Sequence, residues 1–137
     1  MAAFVKFEAF TEAMAEKKHN LDTDTLKVYF SNTTPNVATH AVKADLAEIS
    51  AGNGYTAGGT DTANATSRTG GVTSVTGVDF TITASGGSIA AYRYKVLYND
   101  TATNDELIGY WDIGSSITLT VGQSDLTDFG SSMFTIT

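Results

Sequence analysis

The chain has 137 residues, no cysteine and a formal net charge of −7, with 15 acidic against 8 basic side chains. This length predicts one domain, residues 1–137, with a core large enough to fold without a metal ion. The lack of cysteine excludes a disulfide scaffold and thiolate metal sites. The negative charge argues against nucleic acid and anionic membrane surfaces as partners, because both are bound by clustered Lys and Arg.

Residues 1–20 predict a short helix or an arm. Phe4, Phe7, Phe10 and Met14 recur at helical spacing and indicate a helix over residues 3–19. The first half could instead be extended, because three Phe in seven residues suit a strand. The segment lacks the basic region of a secretory signal, and no stretch reaches the about 20 apolar residues of a membrane span. We therefore expect folding in the cytoplasm of the cell that makes the protein.

The next segments predict one strand, one short helix and one long loop. Thr25–Ser31 alternates apolar and polar residues and indicates the first strand. Residues 41–49 carry apolar side chains at helical spacing. Residues 51–71 are rich in Gly and contain only one large apolar residue, Tyr55, which predicts a long Gly-rich surface loop with a short strand at most around Tyr55.

From residue 72 onward, short strands alternate with turns rich in Gly and Ser. We place turns at 85–88 and 114–116, a loop at 122–128, and a last strand at Phe134 and Ile136. This pattern predicts a mainly β fold, an antiparallel β-sandwich or barrel with the short N-terminal helix or arm.

The central feature is a long hairpin over residues 91–114. The preferred register pairs Tyr98 with Leu107 and Arg93 with Asp112. In this register Leu97, Ile108 and Tyr110 lie on the outer face of the ribbon. That apolar surface must be covered either by more of this chain or by another copy, so these three residues are interface candidates.

A search for chemistry finds no nucleophile elbow, phosphate-binding loop or zinc-protease motif. Only His19 and His40 could act as histidine bases, and both are interpreted as ordinary surface residues. Asp100, Asp105 and Glu106 in the hairpin loop carry oxygen ligands suited to Ca²⁺, but the EF-hand spacing is absent and the turn alone accounts for them. We expect no cofactor and no enzymatic activity.

Three stretches of the chain carry a family resemblance. They are KFEAFTEAMAEKKHNLDTDTLKVYFSNTTP, ADLAEISAGNGYTAGG and ASGGSIAAYRYKVLYNDTATNDELIGYWDIGSS. Together they resemble small structural proteins of tailed bacteriophages, some of which look like capsid decoration (cement) proteins.

This resemblance implies a non-enzymatic virion protein that binds the outer surface of a phage head and stabilises it. Its partners would be the major capsid protein or another virion protein, and sister copies in a homotrimer. The N-terminal segment or the Gly-rich loop would order on docking, which adds Phe4, Phe7 and Tyr55 to the interface candidates. The alternative is a module of the tail or a fibre that binds host glycans through an exposed aromatic patch or a metal in the loop 99–106.

Overall fold

The computed structural model describes every residue from Met1 to Thr137. Strands hold 44% of the residues and helices 7%, which confirms the mainly β prediction. The strands, in chain order, are β1 Phe4–Lys6, β2 Leu26–Ser31, β3 Thr60–Asp61, β4 Ala65–Thr69, β5 Val72–Thr76, β6 Phe80–Thr83, β7 Ile89–Asn99, β8 Leu107–Leu119, β9 Ser124–Thr127 and β10 Phe134–Ile136. The helices are α1 Ala9–Ala15 and a 3-10 turn at Lys43–Asp45. Neither is long and apolar enough to cross a membrane.

The strands form three antiparallel sheets. The largest has five strands in the order β1-β8-β7-β2-β3, the second has the order β10-β5-β4, and the third pairs β6 with β9. The main core lies between the large sheet and the two smaller ones. Leu26, Val28 and Phe30 of β2 face it together, as the alternation in the sequence predicts. Val75 and Ile82 come toward it from the smaller sheets, which gives a sandwich-like arrangement.

The opposite face of the large sheet is also covered by this chain. A second cluster contains Tyr29, Tyr98 and Leu107 from the sheet, and Leu46 from the segment between β2 and β3. Tyr29 donates a hydrogen bond to the Leu46 carbonyl oxygen at 3.0 Å, which fixes that segment on the sheet. The central strands are therefore buried on both sides.

The N-terminal segment is split between a strand and a helix. The predicted helix over residues 3–19 is too long, because Phe4–Lys6 pairs with β8 and the helix covers only Ala9–Ala15. The alternative of an extended first half is confirmed. The helix ends at Ala15 with Glu16 as its C-cap, and Lys17 lies in the left-handed region at φ 62°.

The hairpin is present, but its predicted register is correct only at Tyr98 and Leu107. Ile108 is an extra residue in β8, so Leu97 pairs with Gly109 and every later pair is shifted. The predicted turn at 114–116 is wrong, since β8 continues through it to Leu119. Arg93 and Asp112 still meet diagonally, with Nε and Oδ1 2.8 Å apart.

Three other segments differ from expectation. The region 51–71 includes β3 and β4, so only part of it is loop. The predicted helix at 41–49 is reduced to the single turn Lys43–Asp45. The predicted loop 122–128 contains β9, whereas the last strand lies where expected.

Candidate functional site

Most of the interface candidates are buried within the single chain. Leu97, Ile108 and Phe7 are fully buried, and Tyr55 is 3% exposed. Leu97 and Ile108 lie in the main core, because the extra residue in β8 and the segment carrying Leu46 reverse which face of the ribbon is inside. These four residues are therefore core residues, and the expectation that they form a contact surface is wrong.

Phe4 and Tyr110 are half-buried and packed against other rings. Phe4 stacks on Phe134, with ring centroids 4.8 Å apart, and Tyr110 lies beside Phe7 at 5.6 Å. Both rings serve to attach the N-terminal segment to the large sheet. Neither is a free aromatic platform of the kind that stacking on a sugar ring requires.

Three of the seven exposed large apolar side chains lie together instead, at a place that we call the N-terminal patch. It consists of Met1, Ile113 and Leu126, which are 53%, 37% and 57% exposed. All three line one cavity of about 210 Å³, together with the buried Trp111. Exposed apolar side chains that lie together mark this place as a candidate contact surface.

A buried lysine borders the same cavity. Lys95, on β7, is 3% exposed, and its Nζ lies 3.0 Å from Oδ2 of Asp125 on β9. Nζ also donates a hydrogen bond to Thr127 Oγ1 at 2.9 Å and lies 5.5 Å from the centre of the Phe30 ring. The Tyr92 hydroxyl donates a second hydrogen bond to Asp125 Oδ2. The ammonium group of Lys95 is thus buried beside an aromatic ring, while the Asp125 side chain is 20% exposed.

A polar cleft of about 850 Å³ opens between the end of α1 and the hairpin loop. His19 and Asp24 line this cleft, and both contact Asn99, whose Nδ2 lies 3.0 Å from His19 Nδ1 and donates to Asp24 Oδ2 at 2.7 Å. His19 is buried, so its interpretation as a surface residue is wrong. Burial lowers the pKa of His19, although Glu106 and Asp24 oppose the shift. This cluster joins residues 19–24 to the hairpin loop.

The hairpin loop does not assemble a metal site. No group of three or more His, Cys, Asp or Glu side chains is placed to hold a metal ion. Asp100 pairs with Lys27 at 3.1 Å, and Glu106 is buried. Burial, and then the neighbouring charge of Asp100, raise the pKa of Asp105. The three calcium candidates therefore have different surroundings and do not converge.

A third polar cluster fixes the Gly-rich segment. Glu48 accepts hydrogen bonds from the Tyr55 hydroxyl at 2.6 Å and from the Gly58 amide at 2.7 Å, and it pairs with Lys43 at 2.9 Å. These three bonds lower the pKa of Glu48, although burial, the largest single influence, acts in the opposite direction. Tyr55 is thereby held in the core, and the segment around it is not a free arm.

Comparison of the chain with protein-family models, with curated proteins and with solved structures finds no match.

Sequence reasoning missed the N-terminal patch and the buried lysine. Leu126 lies in a segment that was interpreted as a loop, and Ile113 lies just before the predicted turn at 114–116, which the structure continues as a strand. Lys95 carried one usable signal, since it stands between Tyr94 and Val96 in a strand that is otherwise rich in apolar residues. A lysine in such a strand must be buried with a partner or exposed on an edge.

Proposed function

We propose that the protein is a non-enzymatic structural component of a tailed-phage virion, a decoration protein that binds the outer surface of the assembled head and stabilises it. The resemblance of three long stretches of the sequence to such proteins supports this proposal. The observation that carries it in the structure is the N-terminal patch, where three of the seven exposed large apolar side chains line one cavity.

A protein that stabilises a shell has to resist deformation, and the covering of both faces of the large sheet suits that task. Packed interiors transmit force with little compression. The patch combines residues of β8 and β9, so a shell protein that covers it would contact two sheets at once. We propose that the patch binds the major capsid protein, and we expect three copies of this chain to assemble at each binding position.

The test uses phage heads that lack the protein, mixed with the purified chain. We expect the chain to sediment with the heads and to raise their melting temperature, because a ligand that binds only the assembled state stabilises it. A chain that binds no assembled head, or that binds glycans alone, would exclude the decoration role.

A matched pair of double variants tests the patch itself. Ile113→Glu with Leu126→Glu places two charges in the patch and should weaken binding to heads by at least about tenfold. Val78→Glu with Val121→Glu adds the same charge at two side chains that are 62% and 64% exposed but do not line the patch cavity. This control should bind as the wild type does. If the first double variant binds normally, the surface is wrongly assigned even though the decoration role stands.

A further inference from the structure

The Lys95–Asp125 pair differs from the other ion pairs of this protein in its burial. The Lys95 side chain is 4% exposed, whereas the basic side chains of the other four pairs are 22% to 46% exposed. A charged pair placed among aromatic rings loses hydration that its mutual attraction only partly replaces. An amine attacks a carboxyl carbon only after Nζ has passed one proton to the carboxylate, which leaves a neutral amine beside a neutral carboxylic acid.

We propose that Lys95 and Asp125 become joined by an intramolecular amide bond. The amine nitrogen forms a new bond to Cγ of Asp125, and the bond from Cγ to one carboxyl oxygen breaks. That oxygen leaves as water with two protons, both of which come from the ammonium group. The lysine ammonium and the aspartate carboxylate therefore give one secondary amide and one water, and no oxidant, cofactor or other reactant is needed.

The surroundings of the pair place the reacting atoms and supply a proton donor. Nζ lies 3.0 Å from Oδ2 and is held from a second direction by Thr127 Oγ1 at 2.9 Å, so the amine is fixed beside the carboxyl group. Tyr92 donates its hydroxyl proton to Oδ2 and polarises the carboxyl group. Burial, and then this hydrogen bond, raise the pKa of Tyr92, so the phenol stays protonated. It can pass its proton to the leaving oxygen and take one back from the nitrogen, so that the two protons of the water still come from the ammonium group overall.

The site is also open on one side. The Asp125 side chain is 20% exposed, against 4% for Lys95, so the water that is released has a way out while the amine stays shielded. The bond would connect β7 of the large sheet to β9 of the two-stranded sheet. A covalent link between layers that otherwise meet through side chains prevents their separation on heating or under force.

The intact mass of the folded, purified full-length chain decides the question. We expect a mass lower than that of the sequence by one water molecule, both when freshly purified and after incubation in the folded state. A mass equal to that of the sequence after this incubation would overturn the proposal.

Tryptic digestion locates the bond without any variant. No Lys or Arg follows Lys95 in the sequence, and trypsin does not cleave after an acylated lysine. The bonded chain should give a peptide of residues 94–137 that lacks one water, whereas the unbonded chain gives residues 96–137. Release of the unmodified peptide 96–137 alone would contradict the assignment.

Two substitutions provide the controls. Lys95→Arg keeps the positive charge but lacks the amine nucleophile, and Asp125→Ala lacks the carboxyl group, so both should have the full mass of their sequences. Lys27→Arg, at the exposed pair with Asp100, should still lose one water. Loss of water in the Lys95→Arg protein would show a reaction elsewhere in the chain, such as cyclisation of another aspartate, and would overturn the assignment.

Discussion

At the scale of single residues, the hydrogen bonds of Asn99 fix the protonation state of His19. Asn99 Oδ1 accepts from the amides of Thr101 at 2.9 Å and Ala102 at 3.1 Å, so its Nδ2 group must donate to His19 and Asp24. His19 Nδ1 is therefore an acceptor, and the neutral ring carries its proton on Nε2. Protonation at Nδ1 would place two donors against each other in a buried site.

The stability of the protein should therefore fall as the pH is lowered past the ordinary pKa of histidine. Burial lowers the pKa of His19 in the folded chain, so the unfolded chain binds the proton first, at about pH 6.5. Below that pH the free energy of unfolding should decrease by about 1.4 kcal/mol per pH unit until the folded pKa is reached. Urea unfolding measured at several pH values between 7.5 and 5 tests this prediction, because it gives the free energy of unfolding at each pH and hence the slope.

Two single variants separate this effect from the titration of carboxylates. His19→Gln can still accept the hydrogen bond from Asn99 and should lose the decrease near pH 6. His40→Gln changes a half-buried histidine whose Nδ1 accepts a hydrogen bond from the Asn36 amide, and it should keep the decrease. An unchanged pH profile in the His19→Gln protein would show that another group is responsible.

At the scale of elements, the attachment of β1 depends on a missing side chain in β8. A Cβ at Gly109 would overlap the Phe4 ring and lie 2.7 Å from the Val5 carbonyl oxygen. The strand pairs with β8 through Phe4, Val5 and Lys6, so it cannot move aside without losing its hydrogen bonds. Gly109 is thus the residue that allows the N-terminal strand to join the sheet.

Gly109→Ala should lower the free energy of unfolding by about 1–3 kcal/mol, because overfilling a packed site forces the backbone or rings to shift. Hydrogen exchange at Phe7, whose amide bonds to the Ile108 carbonyl oxygen at 3.1 Å, should become faster if β1 detaches. Gly71→Ala is the control, since a Cβ there meets nothing within 4 Å and its φ is not positive. Equal stability of the two variants would contradict this role of Gly109.

The sequence predicted individual strands better than the way they pair. The alternation of residue types along the chain identified β2 and the hairpin, because successive side chains of a strand face opposite sides of the sheet. The extra residue at Ile108 leaves no mark in the pattern, since Leu107 and Ile108 are both apolar and both buried, on opposite faces. The strand β4, Ala65–Thr69, was missed because four of its five residues are exposed, so it carries no apolar periodicity.

At the scale of the whole molecule, the incorrect prediction that Leu97 and Ile108 form a contact surface has one physical origin. A ribbon that is apolar on both faces needs two covers, and the sequence shows the ribbon without showing what covers it. The second cover comes from the segment around Leu46, which packs on the sheet. The sequence predicted a helix at 41–49 but not that this segment covers the sheet. The patch that remains exposed depends on β9, which was predicted as a loop, and on Ile113 at the middle of β8, just before the predicted turn at 114–116 that the structure continues as a strand.

A comparison of two leucines measures which surface is inside and which is available to a partner. Leu97 is fully buried in the main core, so Leu97→Ala should lower the free energy of unfolding by about 2–5 kcal/mol through lost contacts and a cavity. Leu126 is 57% exposed in the N-terminal patch, so Leu126→Ala should change it by less than about 0.5 kcal/mol while weakening any contact made there. Urea unfolding of both variants at pH 7.5 gives the two values. If Leu97→Ala lowers the free energy of unfolding by much less than expected, Leu97 is not packed in the core and becomes a contact candidate again.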